Sequence, residues 1–228
     1  MSSWRRCVSI LFLVLASAGL APPAQAVASH RVVSIAQART LPPGTVVTVD
    51  GVATTPSGAF ESSFFDKGFG LQDRGAGIYV SVAVDLGIAP RNRVRVTGTL
   101  RDSSGLLILV PGDPAAVVVH GNGAAVRPRL LATGAVGENS EGQLVRVIAT
   151  ITRAPTPDLP YGTKFVVDDG SGELTIFVNT RTAIDLTGLT AGRAVSVTGF
   201  SSQFDTHYEI DPRFPADVTA CPSRKGMS

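Results

Sequence analysis

From residue 31 onward the chain repeats itself. Arg31–Val33 recurs as Arg129–Leu131, and Gly44–Val49 recurs as Gly142–Val147, each 98 residues later. Phe69–Asp73 returns as Phe165–Asp169 after 96 residues, and Val96–Gly98 as Val197–Gly199 after 101. Pro111 and Pro114 return as Pro212 and Pro215, again after 101. The order is kept and the spacing drifts only by loop-sized amounts, as two copies of one structural unit would give. Two similar domains are therefore expected, over residues 31–121 and 126–220, joined near Gly121–Gly123 and followed by a tail, 221–228.

Each copy carries five strand signals. In the first, Val47 and Val49 alternate with Thr48 and Asp50, the period of a half-buried strand. The same reading points Phe69 and Leu71 inward, then Ile78, Val80 and Val82, then Val94 and Val96, then Leu107 and Leu109. Tyr79 and Ser81 face out. In the second copy the inward set is Val145 and Val147, Phe165 and Val167, Leu174, Ile176 and Val178, Val195 and Val197, and Tyr208 and Ile210. A short helical turn is expected at Ile35–Arg39. The 24 glycines and 15 prolines suit short strands and turns better than long helices. The fold class is all-β, with each copy closing into a small barrel, because closure removes exposed sheet edges. The OB-fold, a five-stranded Greek-key barrel, is the common solution at this size. Strand count alone fits an SH3-like barrel or a small sandwich equally well.

The first 26 residues read as a secretory signal. Arg5 and Arg6 precede an apolar run, Val8–Leu20, too short to span a bilayer. Pro22 and Pro23 break it, and Ala24–Ala26 is a small-residue cleavage site. A secreted or periplasmic protein without a membrane span is expected. Loss of Arg5 and Arg6 leaves 18 basic against 18 acidic residues, which excludes a polybasic nucleic-acid binder. Cys221 is then a lone thiol in the tail, open to pairing between chains or inert.

Several segments resemble the OB-fold modules attached to bacterial extracellular nucleases. In the first copy these are Ser34–Arg39 (SIAQAR), Leu41–Val52 (LPPGTVVTVDGV), Gly70–Asp73 (GLQD), Gly77–Val80 (GIYV) and Val96–Gly98 (VTG). In the second they are Glu141–Val145 (EGQLV), Asp168–Gly172 (DDGSG) and Asp211–Arg213 (DPR). The likeness covers most of residues 31–219. In that family the catalytic apparatus sits in a separate, larger domain, so the resemblance implies a non-catalytic accessory part rather than the enzyme.

The residues agree with a chain that is not an enzyme. Of the histidines, His30 and His120 lie in boundary segments without acidic or thiol neighbours. No H-x-x-x-H, C-x-x-C, G-x-S-x-G or phosphate-loop pattern occurs, and no cofactor is expected. Asp205, His207, Glu209 and Asp211 alternate along the last strand and share a face. A row on one strand diverges, whereas metal ligands converge, so a solvated strand face is the simpler reading and no metal is expected. Asp168–Glu173 reads as a hairpin turn rather than a calcium loop.

OB-folds bind strands across the outer face of strands two and three, flanked by the loops after strands one and four. In copy one this gives Gln72 and Tyr79 on the face and Phe60, Phe64, Phe65 and Lys67 in the first loop. Arg91, Arg93 and Arg95 enter strand four, and Arg101 falls in the loop after it. In copy two the equivalents are Tyr161, Lys164, Phe177, Arg181 and Phe204. Rings beside cations are what base stacking and phosphate attraction need. The expected function is weak, sequence-independent binding of single-stranded nucleic acid. The alternative is a structural module that docks another exported protein, which the neutral charge favours. A small-ligand barrel rests only on the Asp205–Asp211 row.

Overall fold

The computed structural model describes residues 31–60 and 65–221; the expected signal segment, Phe64 and residues 222–228 lie outside this range. The first copy runs β1 (Val32–Val33), α1 (Ile35–Ala38), β2 (Val46–Ala53), β3 (Phe69–Gln72), β4 (Gly77–Val80), β5 (Asn92–Ser103), β6 (Leu106–Val110) and β7 (Val117–Asn122). The second runs β8 (Arg129–Leu130), β9 (Leu144–Asp158), β10 (Gly162–Asp168), β11 (Leu174–Asn179), β12 (Ala194–Phe204), β13 (His207–Asp211) and β14 (Val218–Ala220).

The two sheets have one topology. The orders are β1-β2-β3-β4-β6-β5-β7 and, read in the same sense, β8-β9-β10-β11-β13-β12-β14. Pairing of β2 with β5 and of β9 with β12 closes each into a five-stranded barrel. Within each ring the parallel pair is β4–β6 or β11–β13. That is the Greek-key closure of the OB-fold, and it removes the SH3-like and sandwich alternatives.

The period-two pattern sets the cores. Val47, Val49, Phe69, Leu71, Ile78, Val80, Val94, Val96 and Leu109 meet inside the first barrel. Val145, Val147, Phe165, Val167, Leu174, Ile176, Val178, Val195, Val197 and Ile210 meet inside the second. The helical turn is α1, started by a capping box in which the Ser34 hydroxyl accepts from Gln37 N and the Gln37 side chain accepts from Ser34 N. Copy two replaces it with a 3₁₀ turn, Thr133–Ala135. Both turns are pinned alike. Asp73 Oδ2 accepts from Ile35 N at 2.8 Å, and Asp169 Oδ2 accepts from Thr133 N at 3.1 Å. Each aspartate also folds its own hairpin turn, accepting from Gly75 N and Ala76 N in one copy and from Ser171 N in the other.

Three expectations shift. Arg101 lies within β5, because this strand runs on to Ser103. Tyr79 does face out of its barrel, yet it is only 1% exposed. The outer face of the Asp205–Asp211 row is not uniformly solvated, since Glu209 and Asp211 are buried. The last two have one cause: the second barrel sits on the outer face of the first. Phe200, on the outer face of β12, packs against Phe60 and Tyr79 with ring centroids 5.6 and 5.8 Å apart. Leu106 and Ile108 complete this apolar joint. Around it, the Gln72 side chain accepts from Leu144 N at 2.9 Å, and Arg213 Nη1 donates to Thr54 O at 2.6 Å. Arg39 donates to Glu141 Oε1 at 2.9 Å and to Glu138 Oε1 at 2.6 Å.

Candidate functional site

Two glycines make room for two equivalent rings. A Cβ on Gly68 would strike the Tyr79 ring, and a Cβ on Gly162 would strike the Phe177 ring. Tyr79 and Phe177 occupy matching positions on the outer faces of β4 and β11. In the first barrel Phe200 seals this ring away. In the second the ring stays half-exposed and faces a cavity of about 690 Å³ between the barrels.

The loops that flank this face build the cavity walls. Between β9 and β10 the turn Leu159–Tyr161 presents Tyr161, 51% exposed. Between β12 and β13 the turn presents Phe204, 47% exposed, edge-on to the His207 ring. The first barrel contributes Phe65, which lies 6.0 Å from the Tyr161 ring, centroid to centroid. Its β5–β6 turn is tied to the second barrel's β12–β13 turn by Asp205 N donating to Ser104 O at 2.6 Å. Lys164, directly opposite Phe177 across the strand pair, and Arg181 are exposed on the same lining. Lys164 Nζ also pairs with Asp158 at 3.1 Å.

Tyr161, Lys164, Phe177, Arg181 and Phe204 thus line one cavity. The copy-one candidates scatter. Phe60 and Tyr79 form its buried back wall. The Tyr79 hydroxyl donates to Asp66 Oδ1 at 2.7 Å, and burial, reinforced by that carboxylate, pushes the phenol well above its ordinary pKa. Gln72 is spent on the contact with Leu144. Lys67 lies half-buried beside Gly58. Phe64 lies outside the described residues. Arg93, Arg95 and Arg101 project from the outer face of β5, away from the cavity lining. Arg95 holds Asp50 through two bonds of 2.8 and 2.7 Å. Arg91 instead lines a second cleft of about 290 Å³ with Arg146 and Arg213.

The cavity also has an acidic side. Glu209 and Asp211, at 9% and 6% exposure, line it from the outer face of β13. Burial, with the Glu209 charge added, holds the Asp211 carboxyl well above the usual carboxylate range, against a Ser202 hydrogen bond that pulls it down. Asp211 Oδ1 has no hydrogen-bond partner among the described residues. His207 Nε2 stands 3.7 Å from Glu209 Oε2, and that partner raises the imidazole pKa. Asp205 sits at the turn with a left-handed backbone, φ 52°. Among the described residues, no three His, Cys, Asp or Glu side chains converge as metal ligands.

Phe200 was not singled out from the sequence, although a signal existed. It follows the repeated Val197–Gly199 motif where copy one has Thr99, and its parity points it outward. An outward phenylalanine on a barrel strand marks a covered face.

No protein-family pattern matches the chain, and no curated protein matches it by sequence. Solved structures do match. A murine DNA-binding protein bound to double-stranded DNA is 13% identical, with a TM-score of 0.38 over 78% of this chain and 98% of that one. The tetrameric p202 HIN2 is 11% identical, with a TM-score of 0.38 over 79% and 96%. A replication protein A heterotrimer bound to single-stranded DNA is 10% identical, with a TM-score of 0.34 over 82% and 52%. Likenesses this distant carry no argument about what the cavity binds, which rests on its own geometry.

Proposed function

We propose that this protein binds single-stranded nucleic acid without catalysing a reaction on it, and that the second barrel's cavity is the site. One observation carries the reading. Four rings, Phe65, Tyr161, Phe177 and Phe204, line a single open cavity with Lys164 and Arg181 on the same lining. Rings supply stacking faces that any base can use, and the two cations supply phosphate attraction. Few cations imply modest affinity and a shallow salt dependence. A duplex hides its base faces in its own stack and cannot use the rings. Export is part of the proposal and rests on the sequence of residues 1–26.

Fluorescence anisotropy with labelled oligo-dT, RNA and duplex DNA tests this. Saturable binding of the single strands over the duplex is expected. Tyr161→Ala and Phe204→Ala should each weaken it about tenfold, as loss of one stacked base does. No binding of any strand at low salt would overturn the reading and favour the protein-docking alternative.

A further inference from the structure

The two copies differ most sharply where the cavity needs them to. On the outer face of the last barrel strand, copy one carries Ile108 and Val110, which serve the apolar joint. The matching positions of copy two are Glu209 and Asp211. Both side chains line the cavity; Asp211 is 6% exposed, and the Glu209 side chain is 12% exposed. Asp211 Oδ1 has no hydrogen-bond partner among the described residues. A buried polar atom without a partner is costly, and a fold that needed only apolar packing has the Val110 solution in its other half.

Carboxylates in a wall repel phosphate. They accept hydrogen bonds from N–H groups, which a nucleobase carries on its edge. The rings of Tyr161, Phe177 and Phe204 offer flat faces to a base plane, and the Glu209 carboxylate offers acceptors to its edge. Guanine alone among the four common bases has two adjacent donors there, N1–H and the 2-amino group, spaced for the two oxygens of one carboxylate. Adenine and cytosine set one amino group beside an acceptor nitrogen. Thymine and uracil flank one N–H with two carbonyls, whose lone pairs face the acid.

Resting on the single-strand reading above, we propose that the cavity holds one guanine of a bound strand, its N1–H and 2-amino group donating to the Glu209 carboxylate while its face stacks on the aromatic wall. Stacking along the rest of the strand stays indifferent to sequence, so the preference belongs to a single position.

The test is an anisotropy series with oligo-dT strands carrying, at one central position, dT, dG, dA, dC or deoxyinosine, which lacks the 2-amino group. The dG strand should bind at least fivefold tighter than each of the others. Glu209→Gln should erase that difference. The wild-type series decides by itself if a variant fails to fold, which near-ultraviolet circular dichroism checks. Equal affinity for all five strands, or a dG preference that survives in folded Glu209→Gln, overturns the guanine assignment while leaving the stacking groove intact. Absence of binding to every strand overturns the single-strand reading itself.

Discussion

Gly77 and Gly142 meet backbone to backbone across the joint between the barrels: a Cβ on Gly77 would lie 1.9 Å from Gly142 O, and one on Gly142 would lie 2.4 Å from Gly77 O. Gly77 begins β4, so this contact seats the second barrel on the outer face of the first. Backbone on both sides leaves nothing that can rotate away. Gly77→Ala should therefore loosen the joint or cost about 1–3 kcal/mol, the range for overpacking a tight contact. Urea unfolding should show a lower midpoint, with Tyr79 becoming accessible to solvent quenchers. An unchanged midpoint would mean that the barrels are not held this closely.

Arg39 is the charged clasp of the same joint. Its guanidinium reaches Glu141, whose side chain is 1% exposed and which also accepts from Leu107 N. Arg39→Met would leave that carboxylate buried without its counter-charge. Breaking one side of such a pair costs about 3–5 kcal/mol, which urea unfolding would measure. The double variant Arg39→Met with Glu141→Gln should recover much of the loss, because the stranded charge is gone.

The pH dependence follows from three groups of one sign. Burial raises the pKa of Glu141 and of Asp211, and the Glu209 partner raises that of His207. Each folded group holds its proton more tightly than the unfolded chain does. Its contribution is full below the unfolded pKa and is lost as pH rises through the folded one. Unfolding free energy should therefore fall as pH rises above the ordinary values of these groups, 3.8 for Asp211, 4.5 for Glu141 and 6.5 for His207, and Asp211→Asn should flatten that slope. Asp169 works in the opposite sense. Hydrogen bonds from Ser171 and then Thr133 lower it to about 2, so its contribution is present above 3.8 and is lost as pH falls through about 2. Denaturant midpoints from pH 2 to pH 8 should show both limbs.

Much of the fold was legible because duplication and parity are local properties of the chain. Residues 98 apart fold alike, and every inward valine pair of β2, β5, β9 and β12 is core. The loops of one barrel flank its own outer face, so Tyr161, Lys164, Phe177, Arg181 and Phe204 came together in one cavity from single-barrel reasoning. What one barrel cannot reveal is its neighbour. Tyr79 and Phe177 look equivalent in sequence, and only docking of the second barrel buries the first and leaves the second half-open. The clue lay in departures between the copies, Phe200 against Thr99 and Asp211 against Val110, rather than in either copy alone.

The arginine row shows the consequence for binding. Arg93 and Arg95 alternate on β5 and look like a phosphate track in the sequence. The structure puts them on a face that lines neither cavity, with Arg95 committed to Asp50 by a two-point contact. An exposed pair of this kind adds little to stability. Arg93→Ala with Arg95→Ala should therefore leave single-strand affinity within about twofold and the salt slope unchanged, whereas Lys164→Ala with Arg181→Ala should lower the slope by about one to two. Anisotropy titrations at several salt concentrations separate the cases. A large loss from the β5 pair would move the strand's path off the aromatic cavity and onto the outer face of the first barrel.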